Sequence, residues 1–347
     1  MRPAPDSELA LDDLLSSPDD ATTQALATLE GDVIVLGAGG KMGPTLARMA
    51  RRALDAVAMS SAGLARRRVI AVSRFSDANV ASLLQSYGVD IIRADLAEPR
   101  AVASLPFAAN VLWLAGQKFG TTGDPVSTWT QNVVASTHAA EHFAGARIVC
   151  FSTGNVYART RVDAGGSREG DTLAPDGEYA ASCVGRERVF ESVARRTGSA
   201  LLLYRLFYAC DLRYGVITDL VLRVLRGETI SLATPLANVI WQADANRLAL
   251  RALAAATVPS VAFNVTGPAV RIRDVVERIG AVLGVMPHFA DDVGTDALLA
   301  NIDALHATLP YDALPLETLI AWAIAWIRQD GRLLGKPTKF EVRDGRF

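Results

Sequence analysis

The chain has 347 residues, 50% of them hydrophobic, which is enough for two domains or for one large α/β domain with an added lobe. Its 35 basic residues are balanced by 37 acidic ones, so no excess charge indicates nucleic acid or a membrane surface as a partner. Cys150, Cys183 and Cys210 have neither disulfide nor metal-ligand spacing, and residues 1–20 are acidic where a signal peptide would be basic, so we expect a cytoplasmic protein. The longest apolar stretch, residues 318–327, is far shorter than the ~18 residues of a membrane span and is predicted to be a buried helix.

After an acidic, helical leader, short apolar runs alternate with stretches of helical periodicity. The run DVIVL at residues 32–36 is β-branched and ends at glycines, which is typical of a strand buried on both faces. Further strands are predicted at residues 69–72, 89–92, 110–114, 147–151, 200–204 and 261–265, and helices at residues 41–56, 77–87, 126–143 and 178–196. This alternation predicts right-handed crossovers and an α/β fold with a doubly wound parallel sheet, the Rossmann arrangement.

The later part of the chain is less regular, and it interrupts or follows the last strands. We therefore predict a leader at residues 1–30 and a Rossmann dinucleotide-binding domain formed by residues 31–207 and 238–267. Residues 208–237 and 268–347 are predicted to form a smaller, mainly helical substrate-binding lobe. Ligands of open α/β sheets bind at the carboxyl ends of the strands, so we expect this lobe to cover that edge.

The sequence GAGGKMG, which reads G-x-x-G-x-x-G, lies directly between the first predicted strand and its helix. Glycines in this place make a tight turn, let backbone N–H groups approach a pyrophosphate and allow the helix to pack closely against the strand. In this context the motif predicts a bound dinucleotide rather than a structural turn. The cofactor-binding residues predicted here are Gly37, Gly40, Lys41, Met42 and Gly43.

The end of the second strand indicates which dinucleotide is bound. Ser73 and Arg74 stand where a carboxylate would bind the ribose of NAD, and an arginine pairs well with the 2′-phosphate of NADP. NADP is therefore favoured, with NAD as the alternative if Arg74 is only a solvated surface residue. The other predicted cofactor contacts are Asp95 and Leu96 at the adenine edge, and Leu114, Ala115 and Gly116 beside the ribose or nicotinamide.

Further motifs along the chain occur together in one known family. They are Asp95-Leu96, Leu114-Ala115-Gly116, Asn132, FSTGNVY at residues 151–157, YAAS at residues 179–182 with Glu187, Arg205, and FNVTG at residues 263–267. With the glycine motif, they make the chain resemble the extended short-chain dehydrogenase/reductase family over about residues 32–327. That family includes nucleotide-sugar epimerases and dehydratases.

The resemblance implies a chemistry and the residues that perform it. Thr153 would hydrogen-bond the reacting oxygen, and Tyr179 would pass its proton while a hydride moves between the substrate carbon and the nicotinamide. The implied substrate is a sugar-like alcohol or a nucleotide sugar. The implied assembly is a homodimer formed through the helices at residues 126–143 and 178–196.

The chain departs from the family where a lysine should follow Tyr179 by four residues, since Cys183 occupies that position. In the family this lysine binds the nicotinamide ribose and lowers the pKa of the tyrosine. Bringing the pKa of a phenol from ~10 to near 7 takes about 4 kcal/mol, which a neutral thiol cannot supply. Arg186 and Lys118 are the candidate substitutes, and the alternative is that both are surface charges. Tyr208 stands where the family often has a substrate-binding asparagine, so an unusual substrate is expected.

Three functions follow from these residues. The leading hypothesis is an NADP-dependent oxidoreductase, epimerase or dehydratase whose catalytic residues are Thr153, Tyr179 and either Lys118 or Arg186. The second is a cofactor-binding sensor or scaffold that has lost chemistry, which Cys183 favours. A zinc hydrolase based on the H-x-x-E-H pattern of residues 138–142 is set aside, because this helix should cover the sheet and no third ligand is evident.

Overall fold

The computed structural model describes residues 3–60, 66–336 and 338–346. The strands are β1 (Val33–Leu36), β2 (Val69–Ser73), β3 (Asp90–Arg93), β4 (Asn110–Trp113), β5 (Arg147–Thr153), β6 (Thr160–Arg161), β7 (Ala200–Leu206), β8 (Tyr208–Cys210), β9 (Thr229–Leu232), β10 (Leu236–Trp241), β11 (Val261–Val265), β12 (Ala269–Arg271), β13 (His288–Val293) and β14 (Asp296–Ala297). The α-helices are α1 (Glu8–Leu15), α2 (Asp20–Ala27), α3 (Gly43–Ser60), α4 (Ala78–Ser86), α5 (Pro99–Ala103), α6 (Pro125–Trp129), α7 (Ala135–His142), α8 (Gly177–Thr197), α9 (Val216–Leu225), α10 (Gln242–Ala255), α11 (Ile272–Leu283), α12 (Asp303–Thr308) and α13 (Leu316–Arg328).

In the described part of the chain, seven strands form one sheet in the order β11-β7-β5-β4-β1-β2-β3, and every neighbouring pair is parallel. The strand order reverses between β1 and β4, so the predicted Rossmann fold is confirmed. Each of the predicted strands is present. Their alternate side chains pack into cores on opposite faces of the sheet, as Val33 and Val35 do on one face and Ile34 and Leu36 on the other.

The helix predicted at residues 126–143 is present without a break over residues 125–142, but it is not α-helical throughout. A π-helical turn at Thr130–Val134 separates α6 from α7. Asn132 lies in this turn, where its Oδ1 accepts a hydrogen bond from the Gln117 N–H at 2.7 Å and its Nδ2 donates to the Gln117 carbonyl at 3.0 Å. The turn therefore fixes the loop that follows β4, and such interruptions are frequent at functional sites.

The remaining strands form three small sheets beside the main one, in the order β12-β10-β8 and as the pairs β13-β9 and β14-β6. The acidic leader is helical as predicted, and α1 and α2 pack against α3 and α10. The buried helix predicted near residue 320 is confirmed as α13, where Trp322 and Trp326 are buried. Among the described residues, no helix is both long and apolar enough to cross a membrane. The domain division and the homodimer stay predictions.

Candidate active site

A cleft of about 240 Å³ opens at the carboxyl ends of β1 to β4, on the side of the sheet where the strand order reverses. We call it the glycine-turn cleft. Its lining includes most of the residues predicted to bind a dinucleotide, namely Gly37, Gly40, Ser73, Arg74, Asp95, Leu96, Leu114, Ala115 and Gly116. The structure therefore brings together residues that are spread over about a quarter of the sequence.

The three glycines of the motif each meet a different steric demand. Gly37 has φ +91°, and a Cβ there would lie 2.5 Å from the Ala115 nitrogen, so only glycine allows this turn. A Cβ on Gly43 would overlap the backbone of Ala38, so this glycine lets α3 pack closely against the turn. A Cβ on Gly40 would meet only the Gly37 carbonyl at 3.4 Å, so Gly40 leaves space at the cleft.

Backbone donors complete this arrangement at the amino end of α3. Within the described residues, the N–H groups of Lys41 and Met42 have no hydrogen-bond partner. Unpaired N–H groups at a helix amino terminus are favourable partners for a phosphate, because the helix dipole adds positive potential there. The residues present thus fit the diphosphate of a dinucleotide, which these N–H groups and the space at Gly40 would hold.

A second cleft of about 380 Å³ adjoins the first and shares Gly37, Gly40, Leu114 and Gly116 with it. We call it the tyrosine cleft, because Tyr179 lies in its wall. Strand β5 ends at Thr153, and the first turn of α8 carries Tyr179, so two rigid elements direct these side chains into one space. The other polar or aromatic residues of the lining are Lys41, Lys118, Phe119, Phe151, Ser152, Phe207, Tyr208, Tyr214, Lys336 and Thr338.

Tyr179 is the centre of a small group of interacting polar side chains. Thr153 lowers the pKa of its phenol, and Cys183, one helical turn further along α8, raises it. The Thr153 oxygen accepts a hydrogen bond from the Asn155 side-chain Nδ2 at 2.9 Å, which fixes its position. Burial raises the pKa of Tyr179 well above 10, and the Arg186 charge and Thr153 oppose that rise only in part. The Tyr179 phenol is therefore protonated at neutral pH.

Arg186 lies next to Cys183 on the same helix, with only 5% of its surface exposed. Its Nη1 donates to the Phe151 carbonyl at 2.8 Å, and its Nη2 lies 3.6 Å from the Cys183 sulfur. A Cβ on Gly116 would come within 2.7 Å of this guanidinium, so glycine at that position makes room for it. Helix geometry predicted that Arg186 reaches back towards Tyr179, and the structure places it there.

The second candidate cation, Lys118, also faces the tyrosine cleft. Its ammonium lies 5.7 Å from the centre of the Tyr179 ring, and burial lowers the pKa of Lys118 to about 8. Burial likewise raises the pKa of Cys183, so this residue is a neutral thiol and not a nucleophile. The structure thus places both candidate cations beside Tyr179 rather than at the surface.

The remaining motif residues form a buried network below the site. Glu187 accepts two hydrogen bonds from Arg205, at 3.0 and 2.8 Å, and one from Ser152 at 2.5 Å. Arg205 also donates to the Tyr157 hydroxyl at 2.5 Å, and this hydroxyl donates to Asn264 at 2.9 Å. This network ties α8 to β5, β7 and β11, which explains why these residue types occur together.

Sequence reasoning assigned residues 268–347 to a substrate-binding lobe but did not single out Lys336 or Thr338 in the C-terminal segment. After α13, residues 331–336 and 338–346 follow the surface, and Lys336 and Thr338 reach the tyrosine cleft. Asp219 of α9 holds this segment by accepting hydrogen bonds from the Thr338 N–H at 2.8 Å and hydroxyl at 2.7 Å. The chain has only four lysines, and the presence of two of them at positions 336 and 339 was the available signal.

The H-x-x-E-H pattern at residues 138–142, which is typical of zinc enzymes, lies on α7. One ring nitrogen of His142 lies 2.9 Å from the Leu105 carbonyl oxygen, and His138 lies on the same short helix, α7. Among the described residues, no group of three or more histidine, cysteine, aspartate or glutamate side chains could hold a metal ion.

Comparisons with known proteins give a clear result for structure. No protein-family model matches the sequence, and no curated protein matches it either. Among solved structures, MoeE5 in complex with UDP-glucose and NAD is 24% identical, with a TM-score of 0.68 over 86% of this chain and 99% of that one. The UDP-glucose 4-epimerase of Thermotoga maritima with UDP-glucose is 18% identical, with a TM-score of 0.67 over 86% and 99%. The dTDP-glucose 4,6-dehydratase DesIV of Streptomyces venezuelae with NAD is 18% identical, with a TM-score of 0.68 over 86% and 97%. The chain therefore shares its fold, over nearly the full length of each of these proteins, with enzymes of the kind that its sequence resembles.

Proposed function

We propose that the chain binds a nicotinamide dinucleotide, with NADP preferred, and catalyses hydride transfer on a sugar-like alcohol or nucleotide sugar. The observation that carries this proposal is that Thr153 and Tyr179 line one cleft, which is continuous with the glycine-turn cleft. Structures of similar fold that hold NAD together with UDP-glucose or UDP support these classes of cofactor and substrate. When bound, the dinucleotide would supply or receive the hydride.

The protein's own residues control the proton. Because the Tyr179 phenol keeps its proton at neutral pH, it acts as a general acid that donates to a substrate carbonyl oxygen while a hydride reaches the carbonyl carbon. The product is the sugar-like alcohol, so the proposed hydride transfer interconverts this alcohol and its carbonyl form. Thr153 holds the same oxygen, and the Arg186 charge stabilises the phenolate that remains. The site as it stands therefore favours the reductive direction, since the reverse step needs Tyr179 as a base.

A second candidate function is cofactor binding without turnover, as in a sensor or scaffold. The observation that favours it is Cys183 in place of a lysine, because Cys183 opposes ionisation of Tyr179 instead of promoting it. The two functions differ in whether Tyr179 takes part in turnover.

The test is turnover of NADPH with a panel of sugars, keto-sugars and nucleotide sugars, followed by nicotinamide absorbance. We expect Tyr179→Phe to lower kcat about 10²- to 10⁴-fold, the usual contribution of a general acid, with NADPH affinity unchanged. Tyr87→Phe is the matched control, since this tyrosine packs on Arg48 away from both clefts. NADPH binding without turnover of any panel member, or equal rates in Tyr179→Phe and the unmodified protein, would support the sensor or scaffold instead.

A further inference from the structure

The chain contains four lysines among its 35 basic residues, and the structure gathers them in one place. Lys41, Lys118 and Lys336 line the tyrosine cleft, and Lys339 lines the adjoining groove together with Lys336. They come from three separate parts of the chain: the glycine turn, the loop after β4 and the C-terminal segment. Their convergence is therefore a product of the fold and not of neighbouring sequence.

The described lining of the tyrosine cleft contributes positive charge but no carboxylate. Among the described residues that line it, none is an aspartate or glutamate. None of the ion pairs among the described residues includes Lys41, Lys336 or Lys339. The nearest carboxylates act on Lys41 from outside the lining: Asp219, which accepts hydrogen bonds from Thr338, and Asp211, which pairs with Arg213. Ammonium groups of like charge around one cavity repel each other, so an anion in the cavity would be strongly stabilised.

Lys41, Lys118 and Lys336 line the same cleft as Tyr179 and Thr153, and this cleft also contains residues of the glycine turn. The Lys41 ammonium lies 4.2 Å from the centre of the Tyr214 ring and 5.1 Å from that of Phe119, and Lys41 does not line the glycine-turn cleft. Lys118 lies above the Tyr179 ring, 5.7 Å from its centre. An anion between these lysines would thus lie beside the substrate atoms that Tyr179 and Thr153 contact.

We propose that the substrate carries a carboxylate or phosphate on its reacting unit, and that Lys41, Lys118 and Lys336 bind this group. The proposal rests on the proposed function, because the reacting unit is identified by its place beside Tyr179. It extends that function by excluding an uncharged hexose as the preferred reacting unit. It also gives the C-terminal segment a part in recognition, since Lys336 lines the cleft and Asp219 helps to hold the segment through Thr338.

The experiment compares matched probes by calorimetry on the NADPH-saturated protein. UDP-glucuronate and UDP-glucose differ by one carboxylate on the sugar, and glucose 6-phosphate and glucose differ by one phosphate. We expect the anionic member of one pair to bind at least about tenfold more tightly, the effect of one charge-assisted hydrogen bond. A preference in the first pair identifies a carboxylate, and a preference in the second identifies a phosphate.

The variants test whether the lysines are the cause. Lys336→Gln and Lys41→Gln should reduce the preference to less than about twofold, since each removes a charge-assisted contact. Arg273→Gln, which removes a half-exposed charge on α11, should keep the preference of the unmodified protein. No preference in either pair, or a preference that survives both lysine variants, would overturn the proposal. Equal losses for UDP-glucose and UDP-glucuronate would also overturn it, because the lysines would then bind the nucleotide diphosphate, and a loss of NADPH affinity would assign them to the cofactor.

The binding experiment and the turnover experiment test the two proposals separately. A protein that prefers the anionic probes but never oxidises NADPH would contradict the proposed function and leave the anion site standing. A protein whose turnover depends on Tyr179 but which has no anion preference would do the reverse.

Discussion

Arg74 is the residue on which the choice between NADP and NAD depends. Its side chain is 68% exposed, and its guanidinium lies 3.7 Å from the Asp95 carboxylate at the rim of the glycine-turn cleft. An exposed pair of this kind contributes little to stability, so Arg74→Ala should fold normally. We expect this change to weaken NADPH binding about tenfold or more and NADH binding less than about twofold, because only NADPH has a 2′-phosphate for the guanidinium to bind.

Fluorescence titration of both cofactors measures the effect of Arg74→Ala. Arg100→Ala on α5 is the control, since Arg100 is exposed and does not line either cleft. If both cofactors lose the same affinity in Arg74→Ala, the NADP preference is wrong and Arg74 acts only through Asp95.

At the scale of the element, α8 determines what the lysine position can accept. Cys183 and Arg186 are neighbours on one face of this helix, and their side chains meet at 3.6 Å inside the protein. A lysine at position 183 would place an ammonium group against the buried guanidinium of Arg186. The change adds no carboxylate to balance this second positive charge. We therefore expect Cys183→Lys to lower the free energy of unfolding by about 3–5 kcal/mol, the usual cost of an uncompensated buried charge.

The double variant Cys183→Lys with Arg186→Leu is the control for this interpretation. It moves the single positive charge from position 186 to position 183 and so avoids the repulsion of the single variant, and denaturant unfolding should show most of the stability restored. A stable, active Cys183→Lys single variant would show that Arg186 has room to move and that a neutral side chain at position 183 is not required beside it.

The same elements show how far sequence reasoning reaches. The strands of the main sheet were predictable because parallel strands buried on both faces are continuous apolar runs, as VIVL of β1 shows. The π-helical turn around Asn132 was not, since one extra residue in a helical turn barely changes the spacing of apolar residues. The position of Arg186 was predictable because helical side chains lean towards the amino end, whereas its contact with Gly116 joins residues 70 positions apart and has no local signal.

At the scale of the whole molecule, the C-terminal segment marks the limit of prediction from sequence. It has little regular structure, so no periodicity identifies it, and it is held by single contacts with distant residues. Arg159 donates to the carbonyls of Val342 at 2.6 Å and Arg343 at 2.9 Å, and Phe340 packs at 6.4 Å from Tyr208. A contact of this kind depends on the complete fold, and the position of Lys336 in the tyrosine cleft follows from several of them together.

The net charge of the molecule is −2, so attraction of an anion to the tyrosine cleft is a local effect that depends on the protonation of its lysines. Burial lowers the pKa of Lys41 and of Lys118 to about 8, with neighbouring lysine charges adding to the effect. Asp219 and Asp211 oppose this at Lys41. Both lysines are therefore charged below pH 8 and lose their protons as the pH rises through that value. Above pH 8, the lysines must take up these protons again when a carboxylate or phosphate binds.

The affinity for the anionic probe should accordingly be constant at pH values below about 7 and fall above about 8. The expected fall is about tenfold per pH unit for each lysine that must take up a proton on binding. UDP-glucuronate and UDP-glucose, titrated side by side into NADPH-saturated protein, separate this effect from ionisation of the uracil base, which both probes share. Lys41→Gln should weaken UDP-glucuronate binding at low pH and flatten its dependence on pH, because one of the two titrating lysines is gone. A ratio of the two affinities that does not change with pH would contradict the assignment of Lys41 and Lys118 to the anion.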